Sequence, residues 1–252
     1  MTYCLAIKVR DGLVFASDSR SHAGMDHLSV YSKMFTFGIE GQRVFAVLAS
    51  GNLATTQAVI SRIEIDIKKK APLSLYTAES TTEAAEYIGG LSLAQQKKHR
   101  RNGPAGEKFD NSASFIFGGQ IAGREPRIFM IYPEGNFIAA TLATPYLQIG
   151  EVKYGKPLLD RIITQNTGLE EAALTAMVSM DSTMRSNATV GPPIEVLIYA
   201  KDRLEFDHRF IFNADNPYLL ELKTAWDQKI KEAFSELTRF NWQRAQAQAS
   251  HE

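Results

Sequence analysis

Apolar and polar positions along the chain follow two periods, and the switches between them mark the elements. Residues 3–9 and 13–16 are short, nearly continuous apolar runs on either side of Arg10-Asp11-Gly12. They read as two buried strands joined by a tight turn. The second run closes in Ser17-Asp18-Ser19-Arg20, and residues 21–32 are polar, with a glycine at Gly24, so they read as a loop. Strand patterns return at 34–38 and 43–49, split by the turn signal Glu40-Gly41-Gln42. After Ser50-Gly51-Asn52 the period becomes helical: Leu53, Ala54, Ala58, Ile60 and Ile63 share a face, and Asn52 is placed to cap it. That helix fades at Lys68-Lys69-Lys70-Ala71-Pro72. A second helix is expected from Ser80 or Thr81 to about His99, weakened by Gly89-Gly90.

Strands follow at 112–118, 127–132, 137–141 and 146–149, with Pro133-Glu134-Gly135-Asn136 as a hairpin turn. Two helices come next, 158–163 and a longer one from Gly168 to near Asn187, with Ala172, Ala176, Met177 and Met180 on one side. Strands at 194–200 and 204–212 precede a final helix over about 215–248. Its Leu219, Leu222, Trp226, Ile230, Phe234 and Leu237 keep an amphipathic spacing. Grouped strands with paired helices disfavour an alternating parallel βα fold and fit antiparallel sheets under helical layers, an α+β class. No linker, repeat or low-complexity tract interrupts the 252 residues, so a single domain over 1–252 is expected.

Composition narrows the function classes. Twenty-eight basic residues balance 28 acidic ones, which points away from nucleic acid and anionic membranes as main partners. The basic run Lys97-Lys98-His99-Arg100-Arg101 has no interleaved aromatics and reads as a solvated helix end. No apolar run reaches the length of a membrane span, no leader precedes Thr2, and the single cysteine permits no internal disulfide. A cytoplasmic location is the expectation. His22, His27, His99, His208 and His251 lack zinc-ligand spacing, which leaves a metal enzyme as a weak alternative; no metal or cofactor is expected. Cys4, at an apolar strand position, reads as a structural thiol whose pKa is raised.

The remaining chemistry lies at the head of the chain. Removal of Met1 would leave Thr2 with a free α-amine beside its hydroxyl, a nucleophile and a base within one residue. A lysine ammonium such as Lys33 would stabilise the alkoxide, a buried Asp18 would hold that lysine, and the N–H of Gly51 would serve as an oxyanion donor. Asp181 and Ser182, late in a helix, are further candidates. Each has a plainer reading: Asp18 and Lys33 as a solvated pair, Gly51 as turn punctuation, Asp181 with Arg185 as an i,i+4 helix pair.

Together these pieces resemble the proteasome β-subunit family of N-terminal nucleophile hydrolases. The matching residues are Thr2 before the first strand, Ala16-Ser17-Asp18-Ser19-Arg20, Lys33, and Ala49-Ser50-Gly51-Asn52-Leu53. Within the family, Ile149-Gly150-Glu151-Val152-Lys153-Tyr154-Gly155-Lys156-Pro157 and Ser179-Met180-Asp181-Ser182-Thr183-Met184-Arg185-Ser186-Asn187 are most similar to the bacterial ancestral β-subunit branch, Anbu. The resemblance implies a four-layer αββα sandwich of two antiparallel sheets and hydrolysis of peptide or amide bonds. It also implies self-association into a ring or an open helical stack, and it specifies no unfoldase partner. It implies Thr2 as nucleophile with its own amine as base, Lys33 as activator, Asp18 as its orienting acid and Gly51 as oxyanion donor. Asp181 corresponds to the family's further acid. Glu151 stands where the family usually has a serine that assists the amine, so it is expected either to accept from the α-ammonium or to make a subunit contact. A self-assembling scaffold with residual catalytic pieces is the competing reading, motivated by the long terminal helix with Trp226, Phe240 and Trp242.

Overall fold

The computed structural model describes residues 1–22, 28–101 and 110–239. The chain divides into two units, residues 1–214 and residues 215–252. In the first unit, β1 (Tyr3–Val9) and β2 (Gly12–Asp18) form the expected hairpin, followed by β3 (Arg20–His22) and β4 (Leu28–Val30). Then come β5 (Met34–Ile39), β6 (Arg43–Gly51), α1 (Leu53–Lys68) and α2 (Thr81–Arg101). The second half contains β7 (Ala113–Ile121), β8 (Arg127–Ile131), β9 (Phe137–Ala139), β10 (Tyr146–Gly150), α3 (Lys156–Ile162), α4 (Leu169–Ser186), β11 (Ile194–Ala200) and β12 (His208–Phe212).

Two five-stranded antiparallel sheets form, ordered β10-β1-β2-β11-β12 and β5-β6-β7-β8-β9. Side chains of alternate parity fill the space between them: Cys4, Ala6, Leu13 and Phe15 from one sheet meet Val44, Ala46, Leu48 and Ile116 from the other. The opposite face of the second sheet (Phe45, Val47, Phe115, Phe117) packs under Val59, Ile60 and Ile63 of α1 and Ala84, Ala85 and Ile88 of α2. α4 lies on β1, β2 and β11, with Ala172, Ala176 and Met180 fully buried. The architecture is therefore the four-layer αββα sandwich. Burial on both faces explains why β1 and β2 read as continuous apolar runs rather than alternating ones.

Three expectations are corrected. Residues 21–32 are not all loop, because β3 pairs with β4 in a small sheet of its own (Arg20 with Val30, Ser21 with Ser29); Gly24 lies outside the described residues. The last strand starts at His208, not 204, because Asp202 (φ 69°) and Leu204 (φ 55°) sit in the left-handed region, which a strand cannot accommodate. The terminal helix α5 spans Pro217–Glu236, capped by Asn216 and ending in the extended Leu237. Residues 240–248, with Phe240 and Trp242, lie outside the described residues.

Candidate active site

β1 begins and β2 ends at the same edge of the sandwich, with Cys4 opposite Ser17, and this places Thr2 and Asp18 together. The Tyr3 N–H donates to Asp18 Oδ1 at 2.9 Å. Lys33, just before β5 in the other sheet, donates through Nζ to the same oxygen at 2.8 Å and to the Arg20 carbonyl at 2.7 Å. Its own backbone is fixed by the Ala49 N–H, which donates to the Lys33 carbonyl at 3.0 Å. Gly191 N–H completes the set at Asp18 Oδ2, 3.3 Å. Asp18 is fully buried and Lys33 is 7 % exposed, so the reading as a solvated pair is overturned. Burial raises the Asp18 carboxyl above its usual range, and Lys33 and the N–H donors of Tyr3 and Gly191 pull against that rise.

Thr2 is gripped through its backbone. Its carbonyl accepts from the Glu151 N–H at 2.7 Å. Gly150 makes this approach feasible: its φ is 86°, and a Cβ there would lie 1.9 Å from Thr2 O and 3.2 Å from Ser50 Oγ. The same close passage brings Ser50, the penultimate residue of β6, near the Thr2 carbonyl. Gly51 is the last residue of β6, in register with Ala113, at φ 110°. A Cβ on it would meet the Ser112 carbonyl at 2.5 Å, so only glycine fits this strand-to-helix turn.

Glu151 is 7 % exposed; its Oε2 accepts from Asn187 Nδ2 at 2.9 Å, and its Oε1 faces Lys153 Nζ at 3.5 Å. The amine of Met1 reports the field here. Its pKa is lowered, first by burial and then by Lys33, while Asp18 and Glu151 act to raise it. Three charges from three parts of the chain thus converge on its head.

Asn187 and Gly191 were missed as site residues. They bracket the turn after α4, in which the Thr189 N–H and hydroxyl donate to Asn187 Oδ1 at 3.0 and 2.6 Å. Arg20 lies against Gly191 and donates through Nη1 to the Ala188 carbonyl at 2.7 Å. One end of this turn therefore holds Glu151 and the other holds Asp18. The signal available in sequence was the turn punctuation Gly191-Pro192-Pro193 following Asn187. Asp181 is buried in α4 and Ser182 beside it is half-buried; α4 reaches Glu151 through Asn187, the residue after its end.

Beneath Thr2, the Tyr3 hydroxyl lies 2.7 Å from Ser179 Oγ of α4 and accepts from Gln148 Nε2 at 2.5 Å. Cys4 is fully buried, with Sγ 3.8 Å from the Ala49 carbonyl, and burial pushes its thiol far up, which is the inert state expected of it. Among the described residues, no group of three or more His, Cys, Asp or Glu side chains is arranged to hold a metal ion. Among them, too, no helix is long and apolar enough to cross a membrane.

Comparison with known proteins adds the following. The family model for the proteasome subunit matches residues 2–199. The structure of Anbu (ancestral beta-subunit) from Yersinia bercovieri superimposes with a TM-score of 0.89 at 38 % identity, covering 95 % of this chain and 100 % of that one. The Anbu (Gly-1) mutant from Hyphomicrobium sp. strain MC1 gives 0.88 at 41 % identity, covering 96 % and 100 %. The helical assembly of the Anbu complex from Pseudomonas aeruginosa gives 0.90 at 42 % identity, covering 95 % and 98 %. No match is found among curated proteins.

Proposed function

The chain belongs to the proteasome subunit family, on its Anbu branch, and from that premise we propose that it is a self-associating hydrolase of peptide or amide bonds with Thr2 as its nucleophile. The observation that carries this reading is the buried Lys33–Asp18 pair tied by Asp18 to the first N–H of β1. Once Met1 is removed, the Thr2 amine takes the hydroxyl proton, and the oxygen attacks the scissile carbonyl. Lys33 stabilises the alkoxide, and Asp18 keeps Lys33 charged and aimed. The tetrahedral oxyanion forms beside the end of β6, where the Gly51 N–H is the donor. The proton passes from the amine to the leaving nitrogen, and water then releases the acyl group from Thr2.

Self-association is supported by α5. Ile230 and Phe234, on its apolar stripe, are 47 and 75 % exposed, and Leu237 just past its end is 63 % exposed. The helical assembly of the relative from Pseudomonas aeruginosa is consistent with a partner copy covering such a stripe. The scaffold reading shares this feature and differs only in turnover.

The deciding experiment is an intact mass before and after incubation with a peptide epoxyketone or vinyl sulfone. A single adduct on Thr2 in protein lacking Met1, abolished in Thr2→Ala while the assembly persists, is the expected result. Assemblies that persist without adduct or turnover, in protein whose first residue is Thr2, refute the hydrolase reading and leave the scaffold.

A further inference from the structure

We propose that Asn187 is a positioning residue: it holds the Glu151 carboxylate beside the head of the chain, where that charge sets the protonation of the amine of Thr2. The inference rests on the nucleophile reading above and adds to it the device that tunes the base. Glu151 is a buried acid whose backbone is already bonded to Thr2, at 2.7 Å, and whose side chain is oriented by Asn187 at 2.9 Å. The Asn187 amide is held in this orientation because its Oδ1 accepts from the Thr189 N–H and hydroxyl. The turn it opens ends on Asp18 through Gly191. A single segment thereby fixes both acids near the nucleophile.

The charged groups that act on the Met1 amine, one residue before that of Thr2, are Lys33 from just before β5, Asp18 from the end of β2 and Glu151 after β10, and the Glu151 N–H reaches the Thr2 carbonyl itself at 2.7 Å. Around them, Lys153 neighbours Glu151, Arg20 lies on Gly191, and Asp181 is buried in α4. Lys33 favours the neutral amine, and the two carboxylates favour the ammonium. An amine serves as base only after losing its proton, so the Glu151 charge keeps the base masked to a higher pH.

The test uses full-length protein with Thr2 as its first residue, released by cleavage of a fusion directly before Thr2. Competitive acetylation with acetic anhydride across pH, read by peptide mapping, gives the midpoint of the amine without requiring turnover. Glu151→Gln is expected to lower that midpoint by about one pH unit. Asn187→Ala is expected to lower it as well, and the double variant to fall no further than Glu151→Gln alone, since both act through one charge. If Asn187→Ala proves unstable, Asn187→Ser keeps an oxygen for Thr189 and removes the amide donor, and gives the same readout. A midpoint that moves in Glu151→Gln and stays put in both Asn187 variants, or shifts that add, overturns the role of Asn187. A midpoint unmoved by Glu151→Gln overturns the role of Glu151. Absence of an electrophile adduct with these amine shifts intact would instead sink the hydrolase reading and spare the tuning device.

Discussion

Lys33 Nζ lies 2.8 Å from Asp18 Oδ1, and the two residues come from different sheets of the sandwich. Their meeting therefore depends on the sheets being packed, and it places a cation under the first peptide of β1. Lys33→Met is expected to slow labelling of Thr2 by on the order of 10²–10³ through loss of alkoxide stabilisation. Removing one member of a buried pair costs about 3–5 kcal/mol in the usual case. Here the cost should sit at the low end, because Asp18 can take up a proton. Labelling kinetics with denaturant unfolding separates the two effects. Loss of cooperative unfolding would make Lys33 a structural residue.

The raised pKa of Asp18 fixes the sign of a pH effect. Between the ordinary carboxylate value and its own higher value, Asp18 keeps its proton in the folded state and releases it in the unfolded one. The folded chain then binds more protons, so the contribution of Asp18 to stability falls as pH rises through that window. Asp18→Asn should flatten this part of the stability–pH curve, measured by denaturant titration at several pH values. A slope that survives in Asp18→Asn assigns it to another group.

Gly150→Ala introduces two faults at once, a left-handed backbone at φ 86° and a Cβ 1.9 Å from the Thr2 carbonyl. The strain alone is worth about 1–3 kcal/mol, and relief requires breaking the Glu151–Thr2 hydrogen bond. A lower Tm together with slowed labelling is expected. A variant with unchanged labelling would show that the backbone grip on Thr2 is dispensable.

Cys4 should resist alkylation in the folded protein and react only on unfolding, given its full burial and raised pKa. Cys4→Ala should leave labelling of Thr2 within about twofold, because a small apolar side chain replaces the thiol at little cost. Rapid reaction of native Cys4 with iodoacetamide would refute its structural role.

Much of this site was legible in the chain because local chemistry marks it. The hairpin of β1 and β2, the Asn52 cap of α1 and the glycine at position 51 each follow from a short pattern whose physics is local, whereas the need for glycine at 150 comes from its contact with Thr2. The family resemblance joined Thr2, Asp18, Lys33 and Gly51 before any contact was visible. Element bounds were less secure where the cause was not local. The strand expected from 204 is cut short by left-handed residues at 202 and 204, and the terminal helix ends at Glu236 although its apolar spacing continues to Leu237.

Sequence by itself determined the periods, the caps and the residue types that chemistry at an N-terminal threonine requires. Only tertiary structure decided that Asp18 and Lys33 are buried together, that Asn187 holds Glu151, and that one turn serves both acids. Burial and hydrogen-bond partners are properties of packed surfaces from distant segments. Asn187 lies 36 residues from Glu151 and Gly191 173 from Asp18, and no local pattern encodes which polar groups separated in this way, side chain or backbone, will share one buried corner of a sandwich.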